Sequence, residues 1–487
     1  MSCYALFCMP EAHFDLAAAA RQEMIDHGFA PDFPAQVQHQ AETLTAAPGA
    51  GLRDQRSLLW SSIDNDDSRD LDQIEWAERT AAGIRILVAI ADVDSYVSKA
   101  TPIDRYACAE ATTVYTGIRT FPMLPERLST NLTSLAENQD RAAVVIDMTV
   151  AADGTIAAGS SYPALVRNRA QLTYSATGRW LEGSAAAPPK IAASAELQSQ
   201  LKLQDEAARC LAEARHRLGA LTFDRVEAEP VFTDGQVSGV VTRQSNRAAH
   251  LIEDFMIAAN ETIARTLREA RVSSIRRVVK APERWPRIVE LARGYGEQLP
   301  PEPDAGALNT FLQHRRSDPV HYSDISLAVL KLMGPGEYML MRPGDPAAGH
   351  FGLAAQDYTH STAPNRRFAD LVTQRLLRAL SAKTGTPYSD DELDAIARNC
   401  TLKEDGARKV ERAMTKRIAA VALQHRIGEK FSAVVTGVTP KGVFVRVLGP
   451  PVEGRLMRGE QGLDVGDRLS VTLLGANPRN GFIDFGR

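Results

Sequence analysis

Five carboxylates fall within nine residues of this chain, at Asp64, Asp66, Asp67, Asp70 and Asp72, and a run that reads as a buried strand, Gly83 to Val93, follows shortly after. Charges packed this densely repel one another, so the stretch must be solvated by water or neutralised by cations. Three readings compete. An EF-hand loop with Asp64 at its first position puts oxygens at Asp66, Ser68, Asp70 and Asp72 and ends at Glu75, but Arg69 stands where the sharp turn needs glycine, and a strand follows in place of a helix. A solvated acidic loop has no chemistry of its own. A magnesium site for phosphoryl transfer uses the carboxylates to hold one or two hard cations, which activate water and stabilise charge developing at phosphorus. The cluster alone does not choose between the last two.

A chain of 487 residues suggests two to four domains. Its net charge of −4 argues against a globally basic binder but leaves a local basic groove open. The five cysteines, Cys3, Cys8, Cys108, Cys210 and Cys400, are scattered without CxxC spacing, which disfavours a disulfide framework or zinc site and points to a reducing cytoplasm. Met1 to Pro10 has no basic n-region, and no segment has the ~18 apolar residues that span a bilayer. The expectation is a cytoplasmic protein, a monomer with no membrane and no obligatory protein partner.

The fold class expected is α+β, in three parts. Residues 1–50 read as a helical segment, with helices over 14–27 and 33–45 and a break at His27-Gly28-Phe29-Ala30-Pro31. A helix-turn-helix module is disfavoured there by the scarcity of lysine and arginine. Residues 51–427 begin rich in strands, including 143–150 with a turn at Ala152-Asp153-Gly154, and continue with helices over 194–218, 245–268, 364–380 and 395–427. Short helices and loops alternate over 278–340. Residues 428–487 hold several short strands, the pattern of a five-stranded barrel. In it Phe431 and Phe444 offer faces to bases and Lys441 and Arg446 offer charge to phosphates, against the alternative that both rings are core.

Four further features carry chemistry. Thr362 suits a helix N-cap and Pro364 a first turn, so Arg366 and Arg367 fall at an expected helix start, where free N–H groups and guanidinium forks both face an anion. An ion pair with Asp370, one turn on, competes for either arginine and is assigned first to Arg367. On the helix 245–268, Asn246, Glu253 and Asn260 recur every seven residues as a polar stripe, the usual wet face, while Leu251, Phe255, Ala259 and Ile263 form an apolar side. Phe232 reads as core. His350 and His360 read as structural, because magnesium prefers oxygen.

Asp64-x5-Asp70-x-Asp72 resembles the catalytic motif of the ribonuclease II family, the RNB-domain exoribonucleases. Segments 90–97, 121–129, 169–174, 251–256 with 259–261, 350–353 and 358–370 resemble that family in its order, and the terminal barrel resembles an S1-type OB-fold. The likeness covers roughly Leu58 to Arg487. The cold-shock domains that usually precede the catalytic domain are absent, with only the helical segment in their place. The resemblance implies a mixed sheet and helices around an RNA channel. It implies processive, magnesium-dependent 3′-to-5′ hydrolysis of single-stranded RNA to 5′-nucleoside monophosphates.

By residue, it implies that Asp64, Asp70 and Asp72 hold one or two Mg2+ and orient the attacking water. It gives catalytic roles to Asp72, Arg366 and Glu411, the last otherwise one more charge on a helix face. It implies RNA contacts from Tyr115, Tyr174, Glu253 and Arg367, with Asp254 the alternative to Glu253, and from Lys441 and Phe444 in the barrel. The family's fourth aspartate is here Gln73, which offers magnesium a neutral carbonyl oxygen. Asp66, Asp67 and Glu75 are available to compensate. The alternative is an RNA-binding protein whose nuclease centre has degenerated at Gln73.

Overall fold

The computed structural model describes residues 14–45, 51–223, 226–233, 236–316 and 319–487. Its main sheet contains β1 (Arg53–Asp54), β2 (Trp60–Asp64), β3 (Gln73–Thr80) and β4 (Gly83–Ala91). A separate short hairpin, β5 (Val114–Tyr115) and β6 (Thr120–Phe121), precedes its last two strands, β7 (Asp140–Val150) and β8 (Ile156–Thr173). The long β8 pairs antiparallel with β7 over residues 156–167, then parallel with β2 over 168–173. Strands β2, β3, β4, β7 and β8 therefore return on themselves as a closed circuit of hydrogen-bonded neighbours.

The apolar run in β4 follows from burial on both faces. Ile84, Ile86, Val88 and Ile90 enter the larger core with Leu251 and Phe255, while Leu87, Ala89 and Ala91 enter a second core with Trp60, Leu71 and Val145. Each such fully buried aliphatic side chain contributes roughly 1.5–3 kcal/mol. The β3–β4 turn needs Gly83, whose φ is +134° and whose missing Cβ would lie 2.1 Å from the Val150 carbonyl oxygen.

Helices Ala195–Arg217 and Arg247–Glu269 cover the larger core, and the predicted apolar side of the second, Leu251, Phe255, Ala259 and Ile263, is buried. Its polar stripe is not uniformly wet: Asn246 caps the helix, Glu253 is exposed, and Asn260 is buried. Between these helices lies the hairpin β9 (Val226–Thr233) and β10 (Gln236–Gln244). Phe232, expected in a core, is 46% exposed on it, because a two-stranded ribbon has no second layer over that residue. Next, β11 (Ser274–Val278) pairs with β12 (Glu337–Met341). Helices Trp285–Gly294, Ala305–Arg315 and Pro319–Met333 lie between them around Trp285 and Phe311, where alternating short helices were expected.

Two helices complete the body. The helix expected from Pro364 begins instead at Phe368 and runs to Ala382. A turn ending at Arg366 and the extended Arg367 are held against 111–113: Thr113 N–H donates to Arg366 O (3.0 Å), Phe368 N–H donates to Ala111 O (2.9 Å), and Thr112 bridges Arg367. The long helix Asp390–Leu423 starts five residues earlier than expected, at a capping box of Ser389 and Glu392. The N-terminal helices Leu16–Asp26 and Ala35–Thr43 fall inside the expected ranges. Ala19, Met24 and Phe29 share a core with Ala407, Val410 and Met414 of the long helix. Gly406 leaves room for this: a Cβ there would sit 3.0 Å from the Phe29 ring.

The C-terminal strands, β13 (Lys430–Thr439), β14 (Gly442–Val447), β15 (Glu453–Arg458), β16 (Arg468–Asn477) and β17 (Phe482–Gly486), form the expected closed five-stranded barrel. Phe431 is core, edge-on to Phe485 at 6.4 Å, whereas Phe444 stands outside the core and is half-buried. Among the described residues no helix is long and apolar enough to cross a membrane.

Candidate active site

The acidic loop joins the end of β2 to the start of β3, so strands flank it and the EF-hand reading fails. Glu75, its would-be last ligand, lies inside β3, fully buried and with neither carboxylate oxygen hydrogen-bonded. The loop is fastened on both sides. Ser134 Oγ donates to Arg69 O (2.7 Å) and accepts from Leu71 N–H (3.1 Å), Leu135 N–H donates to Leu71 O (2.9 Å), and Ala91 N–H donates to Asp72 O (2.9 Å). Ser68 Oγ donates to Asp64 Oδ1 (2.8 Å) and Ser175 Oγ to Asp66 Oδ1 (2.8 Å). These bonds aim Asp64, Asp70, Asp72 and Gln73 into one cleft with Tyr115, Tyr174 and Arg366. Asp67 is exposed.

Asp72 is the deepest of the three aspartates, 3% exposed. Burial pushes its carboxyl up to about 7, with Arg366 pulling down and Asp70 pushing further up. Burial likewise raises Asp70, and it raises Glu75 far more, with Asp64 adding to that. These are carboxylates short of positive charge. One partner of Asp72 carried no signal in the sequence: Asn365, 1% exposed, donates its side-chain amide (2.9 Å) and backbone N–H (3.3 Å) to Asp72 Oδ1. Its own amide oxygen accepts from Thr133 Oγ1 (2.6 Å). An asparagine between proline and arginine reads as a turn residue, and its partner lies 293 residues away.

The two arginines after Asn365 differ. Arg367 is spent on a bidentate pair with the fully buried Asp370 (2.8 Å from each of two nitrogens). Arg366 is 48% exposed, and its Nε lies 3.7 Å from Asp72 Oδ2. The expected helix N-terminus is not part of this site: the N–H groups of Arg366 and Arg367 both go to Ala363 O, and Arg367 precedes the helix. The turn is fixed from behind by Asn260. Its Oδ1 accepts from Ser361 N–H and Oγ (2.8 Å each), and its Nδ2 donates to Tyr358 Oη (3.1 Å).

Tyr115, at the end of β5, is 42% exposed. Desolvation pushes its phenol up to about 12, with the Arg366 guanidinium pulling the other way. Its backbone N–H donates to Glu411 Oε1 (3.3 Å), which brings that glutamate of the long helix beside Tyr115; burial raises the Glu411 carboxyl. Tyr174 opens the helix Tyr174–Leu181. Glu253 is exposed, whereas its helix neighbours Ile252 and Met256 line the cleft; Asp254, the alternative, is buried against Arg215 (2.5 Å). His350 and His360 are both half-buried, and His360 Nδ1 pairs with Tyr338 Oη (2.8 Å). In the barrel, Lys441 is exposed at the β13–β14 turn, and Phe444 faces Gly437 and Arg455 on neighbouring strands. Phe482, which no sequence argument singled out, is the most exposed ring of the barrel.

Among the described residues no three carboxylate, imidazole or thiol side chains converge into a preformed metal cage. The donor set still suits magnesium. It is all oxygen, on one cleft wall, and magnesium takes one or two carboxylates while filling its other positions with water and phosphate oxygens.

The RNB domain model matches residues 52–383, and the RNase II-type exonuclease C-terminal S1 domain model matches 429–487. Ribonuclease R of Thermotoga maritima is 30% identical over 442 residues, covering 87% of this chain and 61% of that protein. Ribonuclease R of Escherichia coli is 30% identical over 495 residues, covering 92% and 59%. The chain thus spans about three fifths of the length of these relatives. Among solved structures, Mycoplasma genitalium RNase R in complex with ribose-methylated single-stranded RNA superposes with a TM-score of 0.87 at 23% identity, covering 97% of this chain and 78% of that one. Yeast Ssd1, a pseudonuclease, superposes with a TM-score of 0.72 at 19% identity, covering 91% and 56%.

Proposed function

The chain belongs to the RNB-domain family, and from that we propose that it is a processive 3′-to-5′ exoribonuclease, hydrolysing single-stranded RNA to 5′-nucleoside monophosphates with Mg2+. The observation that carries this reading is the cleft that joins Asp64, Asp70 and Asp72 to a half-exposed Arg366 and to two tyrosines. It offers carboxylates for a cation, a guanidinium for a phosphate and rings for bases within one space.

Asp64, Asp70 and Asp72, with the carbonyl of Gln73, would hold magnesium, which when bound supplies an activated water and charge stabilisation at phosphorus. Arg366 pulls the scissile phosphate toward the carboxylates. Asn365 keeps Asp72 Oδ1 turned toward itself and so leaves Oδ2 for the cleft. Tyr115 and Tyr174 hold the terminal nucleotides by their faces, which suits an enzyme indifferent to sequence. Glu411, through the Tyr115 backbone, fixes the position of that ring. Lys441 and Phe444 lie on a domain suited to guiding the strand toward the cleft. A cytoplasmic monomer remains the expected form.

A second reading, an RNA binder without activity, is favoured by two observations. Gln73 offers a neutral carbonyl where the family pattern has a carboxylate, and Asp72 Oδ1 is already taken by two donors of Asn365. The test is a 3′-hydroxyl single-stranded RNA with magnesium, analysed for mononucleotides. Release of mononucleotides that is lost in D72N, with RNA affinity retained, supports the enzyme. Intact but bound RNA, with cleavage appearing in Q73D, refutes it for the natural sequence.

A further inference from the structure

Tyr115 and Arg366 line two clefts at once. One is the acidic cleft; the other runs against the long helix, with Thr112, Glu404, Arg408 and Glu411 on its walls. Two of these residues keep a buried polar atom without a partner. Glu404 gives Oε1 to Arg277 (2.7 Å), but its Oε2 is unpaired; Arg408 gives Nη2 to Asp405 (2.8 Å), but its Nε is unpaired. Glu404 and Arg408 also face each other one helical turn apart, Oε1 to Nη2 at 3.5 Å, so an anion and a cation stand side by side on this wall. Small residues, Ala369 and Ala407, leave space between the charged ones. The cleft opens to solvent along Arg408, whose side chain is 37% exposed.

Arg366 is the group common to both clefts, and unlike Arg367 it has no carboxylate oxygen closer than Asp72 at 3.7 Å. An anion held by Arg366 can therefore pass from one cleft to the other. We propose that the second cleft receives the nucleoside 5′-monophosphate after cleavage, with its phosphate on Arg366 and Arg408 and its ribose hydroxyls on Glu404 and Glu411. This rests on the exoribonuclease reading. A processive enzyme whose entrance is filled by the remaining RNA needs a second way out for each product, and the second cleft adjoins the acidic one through Tyr115 and Arg366, which line both. The recognition fits the ligand, since guanidinium pairs with phosphate and carboxylate with vicinal hydroxyls.

The experiment combines rapid-quench kinetics on a short RNA with calorimetric titration of adenosine 5′-monophosphate into the full chain. R408W, which fills the second cleft at its solvent mouth, is expected to slow steady-state turnover about tenfold while the first cleavage stays within about twofold, because product release limits the cycle. R408A is expected to weaken adenosine 5′-monophosphate binding about tenfold through loss of a charge-assisted contact. Wild-type ratios of first to later turnovers in R408W, together with wild-type nucleotide affinity in R408A, would overturn the proposal. If the natural protein cleaves no RNA, the exoribonuclease reading falls on its own. The titration then decides alone: affinity lost in R408A keeps a nucleotide subsite, and no binding, or binding indifferent to R408A, removes it.

Discussion

Asn365 shows how much of this site rests on a residue that carries no charge. It spends two donors on one oxygen of Asp72 and anchors its own oxygen on Thr133, so the rotamer of the deepest aspartate is set from outside the acidic loop. N365L keeps the volume and removes those donors. The expected result is a loss of about 10- to 100-fold in kcat/KM with RNA affinity changed less than about threefold, the effect of losing a partner that orients a ligand carboxylate, if Asp72 holds magnesium as proposed. A fall in RNA affinity as large as the fall in rate would show that Asn365 acts on the channel and not on Asp72. His350 permits a pH test at the same scale. Burial lowers its pKa from 6.5 to about 4, so the folded state resists protonation that the unfolded state accepts. Its contribution is present above about 6.5 and is lost as pH falls toward 4. H350Q keeps an acceptor for the Leu353 N–H but does not titrate, so its urea midpoint should fall less steeply over that window than the wild type's. Parallel slopes would refute this.

Among the elements, the Arg247–Glu269 helix shows where a periodicity argument stops. Its apolar side was legible because burial on a helix repeats every three to four residues. The polar stripe was not, because its three members meet different surroundings: a helix start, solvent, and the loop 358–362. N260A would leave the Ser361 N–H and hydroxyl without their acceptor in a buried site and should cost about 3 kcal/mol. It should also lower kcat, since the same loop carries Arg366; denaturant titration beside a kinetic assay reads both. The shift of the next helix start from Pro364 to Phe368 has a related cause. Thr362 and Pro364 are sound local helix signals, but backbone bonds with segment 111–113 hold the turn at Arg366 and the extended Arg367, and they outweigh them.

For the whole molecule, the barrel is joined to the body through the end of the long helix, as Ala419, Ala420 and Leu423 enter its core. Lys441 and the outward ring of Phe444 belong to this domain, so removing residues from Gly428 onward should weaken RNA binding and flatten its salt dependence. Measuring affinity across a salt series checks this, and an unchanged slope would mean that the barrel contributes no phosphate contacts. The same truncation uncovers Leu423, so thermal unfolding of the truncated body is the control for stability.

The sequence by itself determined the α+β class, the terminal barrel, the buried strand after the acidic cluster, and the residue types of a phosphodiester site. Those features are written in local periodicity, in charge density and in motifs, all of which survive without contacts between distant segments. The pairing of Arg367 with Asp370, legible from their spacing, is found in the structure; only the tertiary structure decided that Asp72 is held by Asn365 and that Tyr115 lines a second cleft against the long helix. Asn365 and Asp72, like Glu411 and Tyr115, lie nearly three hundred residues apart in the chain and meet at one place, where burial and hydrogen-bond partners outweigh local propensity.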